Sequence, residues 1–470
     1  MNVRSVVKTL LLSVVIALPI LATGCASAQT VVTVDPAIKY QTLQGWGVSL
    51  AWWAKVVGGY PTAAREQIMH MMFDPKTGLG LNVVRYNIGG GENPEYRTGE
   101  DRWRFLPFRA AIPGYETTSG QWDWSADENQ RRILQEAIKM GANQLEAFSN
   151  SPPWWMTISG SVTGSKIAHE DNLSPQYYNA FADYLTGVVK HFHDDWGITF
   201  QTLEPFNEPT GDWRFGNGQE GCNFARPTQN IIIKDVANAL RTKGLKTTIA
   251  ASDEPSIENA LATFDAYDSE ALGDLSQINT HTYWGWSRFE LRKEVYAAKK
   301  NLWMSEYGDG DPSGLRMARE ITMDMRELQP TAWVYWQALD SVGGWGFIRN
   351  DMRNYTDTAF TVNNKYYVMG QYARYIRPGF VFVDINSPDS IAAYSAKQKR
   401  FVIVTLNSKK TENTITYDLS KLNKVSRKIT AIRTTATEHW SPVSGITLKE
   451  GKFTVTEPAE SVTTYIIQTR

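Results

Sequence analysis

The chain has 470 residues, of which 42% are hydrophobic and 21% charged, a globular composition long enough for one large domain and a smaller one. The formal net charge is −1 and no long basic block occurs, which argues against a nucleic-acid partner. Only two cysteines, Cys25 and Cys222, are present, so we expect no internal disulfide in the mature protein.

The N-terminus, residues 1–25, is predicted to be a signal peptide. A short positively charged stretch precedes the apolar residues 10–22, a run shorter than the roughly 20 residues of a membrane span. Residues 21–25 (LATGC) resemble a bacterial lipobox, which would leave Cys25 lipidated and the protein anchored in the cell envelope, in the periplasm or at the cell surface. Residues 26–28 (ASA) offer the alternative, an A-x-A cleavage site that would release a secreted protein.

From residue 43 to residue 377, predicted strands alternate with predicted helices. The strands are expected at residues 41–49, 81–88, 143–148, from 197 towards 204, 247–252, 277–284, 301–306 and 331–337. The helices are expected at residues 63–73, 128–140, 175–192, 230–243, 256–267, 289–299, 314–328 and 366–375. Eight βα units predict a closed (β/α)8 TIM barrel of the α/β class. An open doubly wound sheet is the alternative, but Gly89-Gly90-Gly91 lacks the spacing of a nucleotide-binding turn.

From residue 378 to residue 470 the pattern changes to short alternating runs separated by Gly, Pro, Asn and Lys. This pattern predicts an all-β sandwich as a side domain. Residues 29–42, which contain an alternating strand at 31–35, are expected to join it. We favour a structural role for this domain, with substrate binding as the alternative.

Two glutamates follow or end predicted strands, at the end of a barrel where active sites collect. Glu208 lies in Asn207-Glu208-Pro209 after the fourth strand, and Glu306 ends the seventh. Two carboxyl groups about 5 Å apart are the catalytic groups of a typical retaining glycosidase. Glu208 is predicted to be the acid/base, kept protonated by burial and its partner's charge, and Glu306 the nucleophile. Pro209 is expected to hold Glu208 in an extended conformation.

Further strand-end residues are predicted to bind substrate or to support the glutamates. Asn207 is placed to bond a sugar 2-hydroxyl, and Tyr283 to donate to Glu306. Arg85 would keep a nearby carboxylate charged, or form a structural ion pair. His281 could instead be a core histidine whose hydrogen bonds are satisfied, and Trp336 could simply cap the barrel.

Most of the 17 tryptophans fall on loops that follow predicted strands, among them Trp53, Trp154 and Trp213. Flat aromatic faces stack on sugar rings, so this placement indicates a saccharide cleft. No G-x-S-x-G, P-loop or H-E-x-x-H motif occurs, and His191 and His193 belong to the end of a predicted helix. We therefore expect no cofactor and no metal, a polysaccharide as the partner, membrane contact only through the lipid anchor, and a monomer.

Several motifs resemble those of glycoside hydrolase family 30 and occur in order from about residue 30 to the C-terminus. They are LQGWG at residues 43–47, VRYN at 84–87, SPPWWM at 151–156, EPFNEP at 204–209, HTY at 281–283, WMSEYG at 303–308 and YVMGQY at 367–372. The resemblance implies retaining hydrolysis without a metal, with Glu208 as acid/base and Glu306 as nucleophile.

Within that family, residues 47–54 and 146–153 are most similar to the endo-β-1,6-galactanase branch. The resemblance therefore implies an endo-acting O-glycosyl hydrolase for β-1,6-galactan, the side chains of arabinogalactan. Hydrolysis of β-1,6-glucan or of glucuronoxylan is the alternative, and the latter would use a basic subsite such as Arg288 or Arg349. A catalytically inactive, surface-bound glycan-binding protein is a further alternative.

Overall fold

A computed structural model describes residues 30–97, 112–352, 356–422 and 425–469 of the chain. The predicted signal peptide, with Cys25, lies outside the described residues, as does Trp103. The account that follows concerns the described residues.

Eight parallel strands close into a barrel, which confirms the predicted fold class. They neighbour one another in chain order around the barrel, and the last pairs with the first. The barrel strands are β2 (Gly45–Ser49), β3 (Val83–Asn87), β6 (Gln144–Phe148), β7 (Thr202–Glu204), β8 (Thr248–Ser256), β9 (Leu275–Trp284), β10 (Asn301–Tyr307) and β11 (Ala332–Tyr335).

The fourth barrel strand begins later than the sequence pattern predicts. Residues 197–200 were expected to start it, but they terminate the preceding helix instead. Gly197 adopts a φ of +66°, and the backbone N–H of Ile198 donates to the carbonyl of Phe192 at 2.8 Å. A glycine in the left-handed conformation commonly ends a helix in this way.

Helices cover the outside of the barrel and bury one apolar stripe each. In α3, for example, Gln130, Ile133, Leu134 and Ala137 are buried at the i, i+3, i+4, i+7 spacing of an amphipathic helix. None of the helices in the described part of the chain has both the length and the apolar character needed to cross a bilayer. The helices are α1 (Trp53–Val57), α2 (Thr62–Phe73), α3 (Glu128–Lys139), α4 (Tyr178–Asp194), α5 (Arg226–Thr242), α6 (Ile257–Phe264), α7 (Ser269–Asp274), α8 (Arg288–Ala297), α9 (Leu315–Met323) and α10 (Asn364–Ala373).

The loops contain short helical turns and short strands. Single turns of 3-10 helix occur at Pro94–Arg97, Trp154–Met156 and Pro175–Tyr177, and a π-helical turn at Asp324–Leu328 extends α9. Small strands pair away from the barrel. They are β4 (Glu116–Thr118), β5 (Gln121–Trp122), β12 (Leu339–Asp340), β13 (Ile348–Arg349) and β14 (Thr361–Val362).

A separate all-β region carries the C-terminal part of the chain and the first strand, β1 (Thr30–Thr42). β1 pairs antiparallel with β15 over its second half and parallel with β18 over residues 30–33, so it joins two parts of one sheet. The sheet folds around its own core, which includes Val32, Phe401 and Tyr465. Its other strands are β15 (Val381–Ile385), β16 (Ser390–Ser395), β17 (Arg400–Asn407), β18 (Asn413–Asp418), β19 (Val425–Thr434), β20 (Ser441–Val443), β21 (Lys452–Glu457) and β22 (Ser461–Thr469).

The β region docks on the barrel through α10, which packs against β19 and β22. The ring of Trp440 lies so close to Gly370 that a Cβ at that position would be 2.3 Å from it. The Trp440 indole N–H also donates to the carbonyl of Tyr367 at 2.7 Å. Gly370 is therefore a close-approach glycine at the junction of the two parts.

Candidate active site

The two predicted glutamates meet at the carboxyl end of the barrel. Glu208 follows β7 and Glu306 lies in β10. One carboxylate oxygen of each and one ring nitrogen of His281 all lie within 4.8 Å of one another. This spacing suits the roughly 5 Å separation of carboxyl groups in retaining glycosidases and is shorter than the 6.5–9.5 Å of inverting ones.

The backbone of Glu208 is not extended, contrary to the expectation from Pro209. Its φ is +47°, in the left-handed region that costs a non-glycine residue free energy. The Glu208 N–H donates to the carbonyl of Asp253 at 2.8 Å. The Glu208 carbonyl accepts from the N–H of Gly211 at 2.8 Å and from the indole of Trp213 at 2.8 Å. These three hydrogen bonds hold the turn against the steric preference that Pro209 imposes.

Glu306 is almost fully buried and receives donors from two directions. The hydroxyl of Tyr283 donates to its Oε1 at 2.9 Å, and the guanidinium of Arg85 donates to its Oε2 at 3.3 Å. Burial raises the pKa of Glu306, and the positive charges of His281 and Arg85 oppose that rise. The predicted contact between Tyr283 and the nucleophile is thus present in the fold.

Arg85 lies beneath the glutamates and does not reach the cleft. The side chain is fully buried and donates to Glu146 at 2.9 Å, to Asp253 and to Glu306. Burial alone would lower the pKa of Arg85, but the three carboxylates outweigh it and raise the pKa. The assignment of Arg85 as a substrate-binding residue is therefore wrong, because its side chain is buried and cannot contact a ligand in the cleft. Arg85 can influence such a ligand only through its hydrogen bond to Glu306.

His281 is also fully buried, so its assignment as a substrate-binding residue is wrong in the same way. Its Nδ1 lies 3.1 Å from Glu208 Oε1 and its Nε2 lies 3.6 Å from Asp253 Oδ1. Burial disfavours the charged ring, but the charge of Glu306 and the contacts with Asp253 and Glu208 raise the pKa of His281 to about 10. His281 is therefore an imidazolium that lies between the carboxylates of Glu208 and Glu306, with its Nδ1 3.8 Å from Glu306 Oε1.

A cleft with a volume of about 190 Å³ opens above the glutamates, and its walls combine aromatic rings with polar side chains. The predicted Asn207, Trp213, Tyr283 and Trp336 all line it. The Oδ1 atom of Asn207 has no hydrogen-bond partner among the described residues. The complete lining is Trp52, Asn150, Asn207, Glu208, Trp213, Gln219, Glu220, Tyr283, Glu306, Trp336 and Trp345.

Trp53 does not line the cleft, contrary to prediction. It is fully buried in the core, and its indole donates to the carbonyl of Ser49 at 2.6 Å. Its neighbour Trp52, which lies just before α1 with a φ of +67°, faces the cleft and packs edge-on against Trp336 at 5.0 Å. Of these two adjacent tryptophans, only Trp52 lines the cleft.

Trp154 lies in a second cavity, of about 520 Å³, rather than in the catalytic cleft. The structure thus places the tryptophan-bearing loops on the expected barrel end but divides their rings between two cavities and the core. Trp122 and Trp124 stack on each other at 4.7 Å, and Trp124 stacks on His191 at 3.8 Å.

Sequence reasoning missed three polar residues of the cleft, Asn150, Gln219 and Glu220. Glu220 is buried and accepts from Asn87 Nδ2 at 3.1 Å and from the N–H of Gly90 at 3.1 Å. Burial raises the pKa of Glu220 to about 8, against the effect of these hydrogen bonds. The only signal in the sequence is the glycine-flanked position of residues 219 and 220 in a loop without periodicity.

Within the described residues, Glu208, His281 and Glu306 are the one group whose donor atoms are close enough for a metal ion. The group already contains its own cation, because His281 is charged at neutral pH. Arg85 adds a second positive charge at Glu306. Two protein cations beside two carboxylates disfavour a bound metal ion at this position.

Comparison with known proteins agrees with this geometry. The family model for O-glycosyl hydrolase family 30 matches residues 29–283. An endo-β-1,6-galactanase of Hypocrea rufa is 37% identical over 84% of this chain and 85% of its own length. A glucuronoxylanase of Bacillus subtilis is 26% identical over 73% of this chain and 79% of its own length. The catalytic domain of the family 30 xylanase C of Talaromyces cellulolyticus superposes with a TM-score of 0.72 at 21% identity, covering 93% of this chain and all of that domain.

Proposed function

This chain belongs to glycoside hydrolase family 30, and we propose that within it the protein is a retaining, endo-acting hydrolase of β-1,6-galactan. The observation that carries the mechanism is the pair of glutamate oxygens within 4.8 Å of each other at the base of an aromatic-walled cleft. The similarity to the endo-β-1,6-galactanase of Hypocrea rufa supports the substrate.

In the first step Glu306 attacks the anomeric carbon of the sugar in the cleft. The bond between that carbon and the glycosidic oxygen breaks, and Glu208 transfers its proton to the leaving oxygen. Tyr283 and Arg85 hold the two oxygens of Glu306 in place for this attack. The products are a shortened glycan with a free hydroxyl group and a glycosyl ester on Glu306.

In the second step Glu208, now a carboxylate, takes a proton from water. The water oxygen attacks the same anomeric carbon, and the ester bond to Glu306 breaks. Two inversions give net retention. The Oδ1 of Asn207, which has no hydrogen-bond partner among the described residues, can accept from a sugar hydroxyl during both steps.

The positions of the two arginines weigh against glucuronoxylan as the substrate. Arg288 is buried and paired with Glu320 and Asp324, so it offers no charge to a glucuronate. Arg349 is exposed, but it lines a separate surface cavity and not the catalytic cleft. The basic subsite that glucuronate recognition requires is therefore missing from the described walls of the cleft.

The deciding experiment is product analysis with three polymers: debranched β-1,6-galactan, β-1,6-glucan and glucuronoxylan. A ladder of galacto-oligosaccharides from the first polymer alone is the expected result. Hydrolysis of only one of the other two would refute the substrate and leave the mechanism in place. Binding of a glycan without turnover of any of the three would favour the non-catalytic alternative.

We also propose export of the protein, with Cys25 as the lipidated residue, on the basis of residues 21–25. Mass spectrometry of the mature N-terminus tests this. A diacylglyceryl group on Cys25 is expected, and an unmodified N-terminus within or after residues 26–28 would mean secretion.

A further inference from the structure

A fully buried lysine lies behind the catalytic cleft. Lys365 is in the first turn of α10, and none of its side chain is exposed. Its Nζ lies within 2.8 Å of four oxygen atoms. A lysine is almost never fully buried unless it is paired, and a buried ammonium group requires acceptors for its three protons. The four acceptors therefore identify the parts of the fold that Lys365 holds together.

The four oxygen atoms come from two loops and a barrel strand. Two belong to Asp309 in the loop after β10, its carbonyl oxygen at 2.7 Å and its Oδ1 at 2.8 Å. The carbonyl oxygen of Gly344, at 2.7 Å, belongs to the segment between β12 and β13. The fourth is the hydroxyl oxygen of Tyr335 in β11, at 2.6 Å. One ammonium group thus joins the loop that follows Glu306 to the segment that follows the last barrel strand.

The segment held in this way carries Trp345, one of the rings that line the cleft. Lys365 reaches it by two routes. Its Nζ donates to the carbonyl of Gly344, and the hydroxyl of Tyr335, which accepts from Lys365, donates to the carbonyl of Trp345 at 2.8 Å. These two carbonyls belong to the peptide groups on either side of the Trp345 Cα. The backbone of Trp345 is therefore fixed from behind the cleft.

The ring of Trp345 packs closely on the loop after β10. A Cβ on Gly308 would lie 3.0 Å from this ring, and a Cβ on Gly310 would lie 3.4 Å from it. A Cβ on Gly344 would lie 2.3 Å from a backbone nitrogen of the same loop. Glycine at these positions lets the two segments approach each other closely. Any displacement of one segment relative to the other therefore moves a wall of the cleft.

Other roles for Lys365 do not fit its surroundings. A lysine that forms a covalent bond with a ligand must be able to reach it, but Lys365 is not part of the described lining of the cleft. An ion pair that only stabilised the fold would need only the carboxylate of Asp309. The contacts with Gly344 and Tyr335 instead lie on the elements that hold Trp345.

We propose that Lys365 is a positioning residue for Trp345, and that glycan binding in the cleft depends on it although it does not itself reach the glycan. The inference rests on the proposed function only in taking the cleft to bind the glycan, so it holds for any of the three polymers. Without the ammonium group, the segment that carries Trp345 takes several positions. Binding then has to select one of them, which weakens the apparent affinity in proportion to its population.

The test is a double-mutant cycle on KM, with an oligosaccharide of whichever of the three polymers the wild type hydrolyses. Lys365→Met removes the ammonium group and keeps a side chain of similar length. It should raise KM roughly tenfold and leave kcat within about twofold. If Lys365 acts through the ring of Trp345, adding Lys365→Met to Trp345→Ala should raise KM no further. Additive effects on KM, or a fall in kcat at unchanged KM, would overturn the proposal.

Asn364→Ala is the matched control. Asn364 precedes Lys365 in α10, and its side-chain amide donates to the carbonyl of Ser313 at 3.0 Å, in the loop after β10 alone. KM of this variant should equal that of the wild type. A rise as large as that of Lys365→Met would mean that any loss of a contact from α10 has the same effect, and it would overturn the role of Lys365.

Lys365→Met leaves Asp309 buried without its cation, which can prevent folding. Tyr335→Phe then takes its place, because it removes the donor to the Trp345 carbonyl and keeps the buried ion pair. The contact with Gly344 remains, so KM should rise less, roughly threefold. An unchanged KM in Tyr335→Phe would contradict the proposal.

Hydrogen exchange distinguishes a failure of this proposal from a failure of the proposed function, because it needs no substrate. The amides of residues 342–346 should exchange faster in Lys365→Met, or in Tyr335→Phe, than in Asn364→Ala. Equal rates would overturn the positioning of Trp345. If the wild type hydrolyses none of the three polymers, the proposed function fails, whereas the exchange rates still support or overturn the role of Lys365.

Discussion

The hydrogen bond from the Tyr283 hydroxyl to Glu306 can be tested directly. The substitution Tyr283→Phe removes the hydroxyl and keeps the shape of the ring. The hydroxyl donates to Glu306 Oε1 at 2.9 Å, and the guanidinium of Arg85 donates to Glu306 Oε2. In the variant Glu306 keeps its charge partners but loses the donor that fixes Oε1. Burial and the charge of Glu306 raise the pKa of Tyr283 well above its usual value, so the hydroxyl keeps its proton throughout the working range.

The size of the effect follows from the type of hydrogen bond. A hydrogen bond to a charged group contributes about 1.5–3 kcal/mol, which corresponds to a loss of roughly 10- to 150-fold in kcat/KM. The same donor stabilises the ionised form of Glu306, so its loss raises the pKa of Glu306 further. Since the nucleophile must be ionised, the acid limb of kcat/KM moves to higher pH.

The assay is the pH profile of kcat/KM for an oligosaccharide with a chromogenic leaving group, measured for wild type and variant. Tyr307→Phe is the control. Tyr307 is next to Glu306 in sequence and its ring lies 6.0 Å from that of Tyr283, yet its hydroxyl is associated with Asp309. A Tyr283→Phe profile that coincides with the wild type, or a shift of the same size in Tyr307→Phe, would refute the role of the Tyr283 hydroxyl.

Three further predictions address the roles of the glutamates, the buried acid and the domain junction. Glu208→Ala should lose on the order of 10³-fold in kcat, and with azide and a good leaving group it should release a β-glycosyl azide; an α-azide from this variant would reverse the two roles. Glu220 has a pKa of about 8 in the folded protein, above that of an unfolded glutamate, so the folded state holds a proton that the unfolded chain releases. The stabilisation that this proton contributes should therefore be lost as pH rises from about 4 to about 8. Glu220→Gln should make the decline in Tm over that range smaller, while Asp127 and Glu320, whose pKa values burial also raises, still contribute to it; parallel Tm curves would contradict this. Gly370→Ala places a methyl group 2.3 Å from the ring of Trp440 and should cost about 1–3 kcal/mol of unfolding free energy, whereas Gly273→Ala, with open space around it, should not lower Tm by a comparable amount.

The barrel and the catalytic pair were predictable because each depends on a signal that is local in the sequence. The alternation of strands and helices appears as changes of hydrophobic period, and the carboxyl ends of parallel strands meet by topology alone. Glu208 and Glu306 each lie at such an end, so their proximity required no knowledge of side-chain packing.

Whether each side chain is buried or lines the cleft was not predictable, because burial depends on contacts between residues distant in sequence. Arg85 is buried by Glu146 and Asp253, which lie 61 and 168 positions away. Trp52 and Trp53 are adjacent and chemically identical, and only the start of α1 sends one ring to the cleft and the other into the core. Glu220 reaches the cleft from a loop whose course is set by hydrogen bonds to Asn87 and Gly90.

The first strand has a consequence for the order of assembly during synthesis. β1 emerges from the ribosome near the beginning, but its partners β15 and β18 lie more than three hundred residues later. The barrel strands between them can pair as they appear, whereas β1 has no partner until almost the whole chain has been made. The sheet of the β region can therefore be completed only after the barrel strands have been made, and removal of β15 to β22 should expose β1 as an unpaired, strand-forming segment prone to aggregation.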